Sequence, residues 1–468
     1  MKTRILSLIL TLALLLTAFA GCSGESETPS GSSGQSSENG DLPAETEPDY
    51  SWFSMPEETG KLEIYSPGNA YSSVLNPAIE IFKDLYPEIE VSYTILSNDE
   101  FETMIRTEIP AGKGPDLVLF SGTTFPDIYK TISTKLFSDL NPYFYIDEDI
   151  VLSDFVQGVM DGGVQNGNRY FVPLNYNVPI ILTTQSILTE LNVSEEDLNT
   201  CDGFADAALR FKNKYPDSTL FFDLCQGNFP YLTDIRTLYK NYGFNFIDYE
   251  ANSVDINETR FHQCIDIVKS YYNPDYDTTD SSKMMVEYYY GGGALLNKMC
   301  IYDDYCGSSY SVYINSANYL ESKGEKTILF TQKNQNDGVT AELILCAAIP
   351  TGSANKSSAW KLMKILLSDS IQGGHDVNRR GNSIFWTGFP VRKSSLRSAI
   401  DIGSELTPEG EKMDQYIANV QSPTEALLIP NVYRKYIDDE IMPYIRGEAS
   451  WDDCWKHFLN TVEFYKDE

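Results

Sequence analysis

The sequence predicts an α/β protein with two lobes, and three observations lead to that fold class. Short apolar or alternating segments are interleaved with segments of helical periodicity in two separate parts of the chain. One of them, Leu117 to Phe120, is a run of four apolar residues bounded by turn signals, as in a strand buried on both faces of a parallel sheet. The globular part, about 410 residues, also exceeds the size at which one hydrophobic core stops growing.

The first lobe is predicted to begin with five elements. Asn76 followed by Pro77 predicts the start of the first helix, and Pro87 ends it. Glycine and proline between residues 110 and 115 end the second helix and lead into the apolar strand. The predicted order is strand, helix, strand, helix, strand, at residues 61–65, 77–85, 90–95, 101–109 and 117–120.

The same pattern returns in the second part of the chain. Residues 219–224 predict a buried strand, residues 225–231 a polar and aromatic loop, and residues 232–242 a helix that Gly243 ends. In open α/β sheets ligands bind beyond the carboxyl ends of the strands. The loops at 66–70 and 121–125 are therefore the first candidates for a ligand site.

The N-terminus has the features of an export signal. Lys2 and Arg4 precede an apolar run at 5–20, which is shorter than the roughly 20 residues that span a bilayer. The junction that ends in Gly21-Cys22 resembles the lipobox of bacterial lipoproteins, with Phe19 at the position where leucine is usual. We predict a signal peptide over 1–21 and lipidation, such as palmitate, on Cys22. An ordinary secretory cleavage that leaves Cys22 free is the alternative.

A flexible tether is predicted over residues 22–59. Residues 23–50 are mostly serine, glycine, glutamate, threonine and proline, a composition that cannot bury enough apolar surface to fold. A coil of that length has an r.m.s. span of about 30 Å. It would hold the globular body away from a membrane surface.

Charge and cysteine content exclude several classes of protein. The formal net charge of -32 excludes nucleic acid as a partner, because such proteins need a basic surface. Without Cys22 the cysteine count is seven, so at least one is unpaired, and Cys300 with Cys306 is the nearest possible disulfide. Their spacings fit no zinc pattern, and the three histidines form no HExxH motif. We therefore expect neither a metal nor another cofactor.

Several segments, taken in order, are similar to one family, the bacterial extracellular solute-binding proteins of family 1, which are the sugar-binding receptors of ABC importers. The similarity extends from about residue 60 to 465. Leu182 to Gln185 departs from it, because the family usually has Tyr-Asn and an acidic residue after the first lobe crossing. The segments that carry the resemblance are AGKGPDLVLF (111–120), LFSDLNPYF (136–144), NGNRYFVPLNYNVPIIL (166–182), YYYGGGALL (288–296), TGFPVRKSSL (387–396) and YIRGEASWDDCWKHFLNTVEFY (444–465).

The resemblance implies a hinged, two-lobed periplasmic-binding-protein-like fold of type II with a ligand cleft between the lobes. It implies that the receptor docks on ABC permease subunits that a separate ATPase drives. Lobe 1 is predicted to comprise residues 60–175 and 327–374, and lobe 2 residues 176–326 and 375–468. We expect a monomer.

Ligand-binding candidates are polar or aromatic residues in loops or at the predicted hinge. Sugars need flat apolar faces for their C-H groups and planar polar groups for their hydroxyls. Trp386 lies in a polar, glycine-bearing segment, whereas Trp360, Trp451 and Trp455 lie in helical patterns and are expected in the core. Ordinary turn or loop chemistry is the alternative for the polar residues. The candidates are Ser66, Asn69, Thr123, Asn175, Tyr176, Asn177, Gln226, Asn228, Tyr231 and Trp386.

These observations predict a substrate-binding lipoprotein rather than an enzyme. It would lie on the extracytoplasmic face of a bacterial cell membrane, capture a sugar or oligosaccharide by hinge closure and deliver it to a permease. A secreted carbohydrate-active hydrolase is one alternative, although no Gly-x-Ser-x-Gly elbow is present. A receptor for a metal or a polyamine is the other.

Overall fold

The central feature of the computed structural model is a mixed sheet whose strand order follows a two-lobed α/β fold. The structure describes residues 50–57, 60–68, 71–122, 124–125, 127–222, 237–273, 292–304, 307, 309–374, 388–401 and 410–468.

The strands fall into one large sheet and several short ladders. Their bounds are β1 Lys61–Pro67, β2 Glu90–Leu96, β3 Leu117–Phe120, β4 Val164–Gln165, β5 Asn168–Arg169, β6 Val172–Asn177, β7 Ile180–Thr184, β8 Thr219–Phe221, β9 Ile247–Asp248, β10 Ser253–Val254, β11 Cys300–Tyr302, β12 Thr327–Thr331, β13 Thr340–Ala348, β14 Phe389–Pro390 and β15 Glu425–Leu427.

The helices surround these sheets. Their bounds are α1 Ser72–Leu85, α2 Asn98–Thr107, α3 Ile128–Ser133, α4 Asn141–Ile146, α5 Gln157–Met160, α6 Gln185–Leu191, α7 Cys201–Lys214, α8 Glu258–Tyr271, α9 Gly292–Leu296, α10 Tyr310–Ser322, α11 Lys356–Leu366, α12 Asp369–Gln372, α13 Leu396–Asp401, α14 Gly410–Val420, α15 Asn431–Tyr436, α16 Met442–Ile445 and α17 Trp451–Asp467. Within the described residues, no helix combines the length and the apolar character needed to cross a membrane.

The large sheet has the order β14-β6-β13-β3-β1-β2, and β15 pairs with β13. β1 runs parallel to β2 and β3. β13 runs antiparallel to both β3 and β6, so β6 points in the same direction as β3. The carboxyl ends of β1, β3 and β6 therefore lie along one edge of the sheet.

The predicted strands of the first lobe are confirmed, but its first helix starts earlier than predicted. α1 begins at Ser72, and Pro77 lies inside it rather than at its start. A proline inside a helix costs about 3 kcal/mol. The added turn buries Val74 and Leu75, and burial of such side chains contributes about 1.5–3 kcal/mol each, which offsets that cost.

The second helix also begins earlier than predicted. α2 starts at Asn98, directly after Ser97, whose hydroxyl accepts from the Glu100 backbone N-H at 3.3 Å. The Glu100 carboxylate accepts from the Ser97 N-H at 2.9 Å, which completes a capping box. The Ser-x-x-Glu pattern is readable from sequence and fixes this boundary.

The ladders formed by β7 with β12 and by β8 with β11 belong to the second lobe. β7 pairs antiparallel with β12, and Leu182 of β7 also pairs with Asp303, which directly follows β11. β11 runs parallel to β8. The predicted strand at 219–224 is observed over 219–221, and the predicted helix is observed over 237–241, while residues 223–236 lie outside the described part of the chain.

Two stretches join the larger sheet to the ladders of the second lobe. Residues 178–179 connect β6 to β7, and residues 332–339 connect β12 to β13. β12 pairs with β7, whereas β14 and β15 join the larger sheet. This strand pairing indicates that the chain crosses between the lobes at 178–179 and 332–339. The exact lobe boundaries stay a prediction.

The end of the tether differs from the prediction. Residues 50–57 belong to the described structure, and the Phe53 ring lies 4.8 Å from the Tyr143 ring of α4. Tyr50, Trp52 and Phe53 supply apolar surface that the serine- and glycine-rich part of the tether lacks. The segment before residue 59 is therefore not wholly a spacer.

The core contains tryptophans and free thiols. Trp360, Trp451 and Trp455 are buried, as predicted. Cys300 is a free, buried thiol, and Cys306, its nearest possible disulfide partner in the sequence, lies outside the described residues. The other free, buried cysteines in the described part of the chain are Cys201, Cys264, Cys346 and Cys454.

Candidate functional site

The strand register brings the predicted ligand loops together at one edge of the large sheet. Tyr65 of β1 pairs with Val118 of β3, and Phe120 pairs with Cys346, which pairs in turn with Pro173 of β6. The last residues of β1 and β3 are thus level with Pro173. Asn175, Tyr176 and Asn177 project beyond that level, toward the loops that follow β1 and β3. We refer to this as the site edge.

Ser66 lies at the site edge but is fully buried. Its hydroxyl forms a 2.7 Å hydrogen bond with the hydroxyl of Tyr93 on the neighbouring strand β2. In this conformation the Ser66 side chain links β1 to β2.

Tyr176 is also a core residue in this conformation. Its ring is fully buried, and its hydroxyl donates to the Val420 carbonyl oxygen at 2.9 Å. Burial raises the pKa of the Tyr176 phenol. Asn175 is buried as well, and its backbone pairs with Pro390 of β14. The ring of Tyr176 therefore offers no free face for a sugar here.

Asn177 is a predicted site residue whose side-chain oxygen has an unused capacity to accept a hydrogen bond. Its Oδ1 atom is buried and accepts no hydrogen bond from the residues that the structure describes. A buried acceptor without a donor costs about 1–3 kcal/mol. A group that supplies a donor at this position would recover that cost.

Gly388 fixes how closely the chain approaches Asn177. Its φ is +79°, and a Cβ at this position would lie 2.6 Å from the Tyr176 carbonyl oxygen and 3.0 Å from Asn177 Oδ1. Only glycine allows both the backbone angle and the contact. β14 therefore begins directly beside β6, the strand that leads into the first crossing.

The second crossing contains a matching unsatisfied donor. Gln332 is fully buried, its Oε1 accepts from Asn241 Nδ2 at 2.8 Å, and its N-H donates to the Pro179 carbonyl at 2.9 Å. Its Nε2 has no acceptor among the described residues. Both crossings thus carry a buried amide with one unused hydrogen-bonding group.

Polar contacts tie the end of helix 237–241 to the strands at the crossings. Lys240 pairs with Glu342 of β13 at 2.8 Å. Glu425 Oε1 accepts from Thr340 at 2.6 Å and from Asn334 at 2.9 Å. Gly243, with φ +71°, lies so close to Thr340 and Glu425 that a Cβ would clash with both side chains. The chain is therefore fixed on both sides of the hinge.

A long-range bond holds the loop after β3, and sequence reasoning missed it. Asp127 caps α3 by accepting from the N-H groups of Tyr129 and Lys130, and it accepts from the Tyr249 hydroxyl at 2.6 Å. Burial raises the pKa of Asp127, although these three hydrogen bonds oppose the rise. An aspartate before a helix is a readable cap signal. Nothing in the sequence indicates Tyr249, which is 122 positions away.

Two cavities flank this bond. One, of about 470 Å³, is lined in part by Phe125, Asp127 and Lys130, and the other, of about 560 Å³, by Tyr129, Tyr249 and other residues. Both are in the size range of ligand pockets. Neither lining includes Asn175, Tyr176 or Asn177.

The other sequence-predicted site residues lie outside the described part of the chain and stay predictions. They are Cys22, Asn69, Thr123, Gln226, Asn228, Tyr231 and Trp386.

Comparison with known proteins agrees with the fold. Residues 66–257 match the family described as bacterial extracellular solute-binding protein. The chain is similar to the sugar-binding protein MalE from Xanthomonas citri, at 14% identity and a TM-score of 0.59, over 87% of this chain and 97% of that chain. No curated protein sequence matches it.

Two further solved structures have the same architecture. The cyclic alpha-maltosyl-1,6-maltose binding protein from Arthrobacter globiformis has 13% identity and a TM-score of 0.53, over 87% of this chain and 99% of that chain. A periplasmic solute binding protein from Pectobacterium atrosepticum has 18% identity and a TM-score of 0.52, over the same shares. Identities this low show a shared fold, which confirms the predicted two-lobed class. The family match over residues 66–257 is to the same family that the sequence motifs resemble.

Proposed function

We propose that the chain is the substrate-binding lipoprotein of an ABC importer, which captures a carbohydrate by hinge closure and delivers it to a membrane permease. The observation that carries the proposal is Asn177 at the first crossing between the lobes, whose buried Oδ1 has no donor among the described residues. A sugar hydroxyl is a donor of the right size for it. Similar proteins described as sugar-binding and as cyclic alpha-maltosyl-1,6-maltose binding support this ligand class.

Trp386 is proposed to stack on the ligand. Gly388, two positions later in the sequence, lies so close to the hinge strand β6 that a Cβ there would be 2.6 Å from the Tyr176 carbonyl oxygen and 3.0 Å from Asn177 Oδ1. An indole at this place would supply the flat apolar face that a sugar ring needs. Asn175, Asn69, Thr123, Gln226, Asn228 and Tyr231 remain further proposed contacts.

Anchoring at the membrane is part of the proposal. Cys22 would carry the lipid after the signal peptide is removed, and the serine- and glycine-rich residues that follow would act as the spacer. The receptor is proposed to act as a monomer on the extracytoplasmic face and to perform no chemistry on its ligand.

The test is a thermal-shift screen of the protein against monosaccharides and oligosaccharides, followed by small-angle scattering with the best one. A specific ligand should raise the melting temperature, because binding to the folded state stabilises it by mass action. The radius of gyration should fall as the lobes close. Recovery of the sugar unchanged after incubation separates a receptor from a hydrolase. A screen in which only metal ions or polyamines raise the melting temperature would contradict the carbohydrate proposal.

A further inference from the structure

Two exposed aromatic rings and the half-buried ring of Tyr50 cluster where the described chain begins. Trp52 is 71% exposed and Tyr145 of α4 is 53% exposed. The Tyr50 ring lies 6.4 Å from the Trp52 ring and 5.7 Å from the Tyr145 ring. We refer to Tyr50, Trp52 and Tyr145 as the aromatic patch. A cluster of this kind on the surface of a soluble body indicates an interaction site.

The aromatic patch rests on a rigid base. Phe53 packs on Tyr143 at 4.8 Å, and Tyr143 packs on the buried Trp360 of α11 at 5.3 Å. The Trp360 indole donates to Asp147 at 2.8 Å, and Lys364 pairs with the same carboxylate at 2.8 Å. Because these contacts order Phe53 and α4, the neighbouring rings of the patch are held in place rather than carried on a free end.

The aromatic patch lies away from the site edge. The N-H of Ser138 donates to the Ile349 carbonyl, just past the end of β13 that is opposite the site edge. Leu140, where α4 begins, donates to the Arg169 carbonyl shortly before β6 starts at that same opposite end. A partner on the patch would therefore leave the site edge uncovered.

We infer that the aromatic patch rests in the headgroup region of the membrane that holds the lipid anchor. The inference depends on the proposed anchor at Cys22, because residues 23–49 lead directly from that anchor to Tyr50. Tryptophan and tyrosine combine an apolar body with a polar tip, and they are enriched at membrane interfaces for that reason. Residues 23–49 are mostly polar and offer no apolar segment to cover the rings.

A weak contact is sufficient for this docking. A short flexible linker holds two groups at an effective concentration in the millimolar range. A patch with only millimolar affinity for the bilayer is therefore docked about half of the time. Docking of that strength orients the receptor while leaving it free to detach.

The acidic residues beside the aromatic patch determine which lipid headgroup it should favour. Asp147, Glu148 and Asp149 follow Tyr145, and Lys364 pairs with Asp147 and, at 3.1 Å, with Asp149. The chain as a whole has a formal net charge of -32. The patch is thus suited to a zwitterionic headgroup, and anionic lipid should weaken docking at low salt, where charge repulsion is least screened.

The experiment uses the full chain, purified from membranes and reconstituted into phosphatidylcholine vesicles with plain or brominated acyl chains, which quench nearby indoles. The chain has five tryptophans. If Trp52 alone enters the interface, brominated lipid should lower the total emission by about a fifth. Trp52→Phe, which keeps an aromatic ring, should abolish the loss, and Tyr145→Ser should at least halve it. Leu85→Ala, an exposed apolar position on α1, is the control and should leave the loss unchanged.

Each result of the vesicle experiment either supports or contradicts docking of the aromatic patch on the membrane. A chain that floats with the vesicles but shows no loss of emission overturns the docking while leaving the anchor intact. A chain that does not float contradicts the anchor, and the docking with it. Emission that changes only when a permease is present in the vesicles would assign the aromatic patch to a protein partner instead. Sugar binding in solution, measured on the same variants, should not change in any of these cases.

Discussion

Replacing Asn177 by alanine should weaken ligand binding and leave the stability of the ligand-free protein nearly unchanged. In the ligand-free protein the buried Oδ1 has no donor among the described residues, which costs about 1–3 kcal/mol. The substitution removes that cost and also removes some packing. We expect the free energy of unfolding without ligand to stay within about 1 kcal/mol of wild type, a shift of roughly 1 °C in melting temperature for a chain of this size.

The affinity should fall measurably. A ligand hydroxyl that donates to Asn177 contributes about 1–1.5 kcal/mol, and each 1.4 kcal/mol is a factor of ten in Kd. Isothermal titration calorimetry with the sugar that gives the largest thermal shift should therefore show a Kd about ten times higher for Asn177→Ala.

Ser138→Ala is the matched control. The Ser138 hydroxyl is also buried without a partner among the described residues, but it lies at the end of the sheet opposite the site edge. Its removal should change stability as little as Asn177→Ala does and leave Kd unchanged. The reasoning is refuted if Asn177→Ala lowers the ligand-free melting temperature by several degrees while its Kd stays within twofold of wild type.

Three further predictions concern the anchor, the proposed stacking residue and acid stability. Cys22→Ser should release the chain from the membrane fraction or stall its maturation, and unchanged retention on fractionation would contradict lipidation. Trp386→Ala should lower affinity by roughly 2 kcal/mol with little change in ligand-free melting temperature, whereas loss of about 3–5 kcal/mol of stability at constant affinity would place the indole in the core. Burial alone would raise the pKa of Asp147, but the hydrogen bonds from Lys364 and Trp360 outweigh it and lower that pKa. The ionised carboxylate therefore stabilises the fold above its ordinary pKa of about 3.9, and this contribution is lost as the pH falls through the lowered pKa. Asp147→Asn should lower the free energy of unfolding at neutral pH. The same variant should show a smaller loss of stability at acid pH when unfolding is measured over a series of pH values.

The sequence predicted those elements whose signals are local. Leu117 to Phe120 formed the expected central strand because a continuous apolar run has few alternatives between two turns. The start of α1 was predicted wrongly, because the proline rule at Pro77 is local, whereas burial of Val74 and Leu75 depends on the rest of the lobe.

The candidate site stays a prediction, and sequence reasoning gives its place in the fold more readily than its details. The strand order places the predicted loops at one edge, which follows from general rules for open sheets. Tyr176 had the residue type of a sugar contact, yet β14 and the Val420 carbonyl enclose it. The bond between Asp127 and Tyr249 joins distant parts of the chain, and no spacing rule indicates such a pair.

The buried thiols have a consequence for the environments in which the receptor works. All five cysteines of the described residues are free, and burial raises the pKa of each, so very little reactive thiolate is present at neutral pH. Disulfide exchange and alkylation both require the thiolate. This part of the chain therefore needs no oxidant to reach its fold, and its stability should be the same under reducing and oxidising conditions.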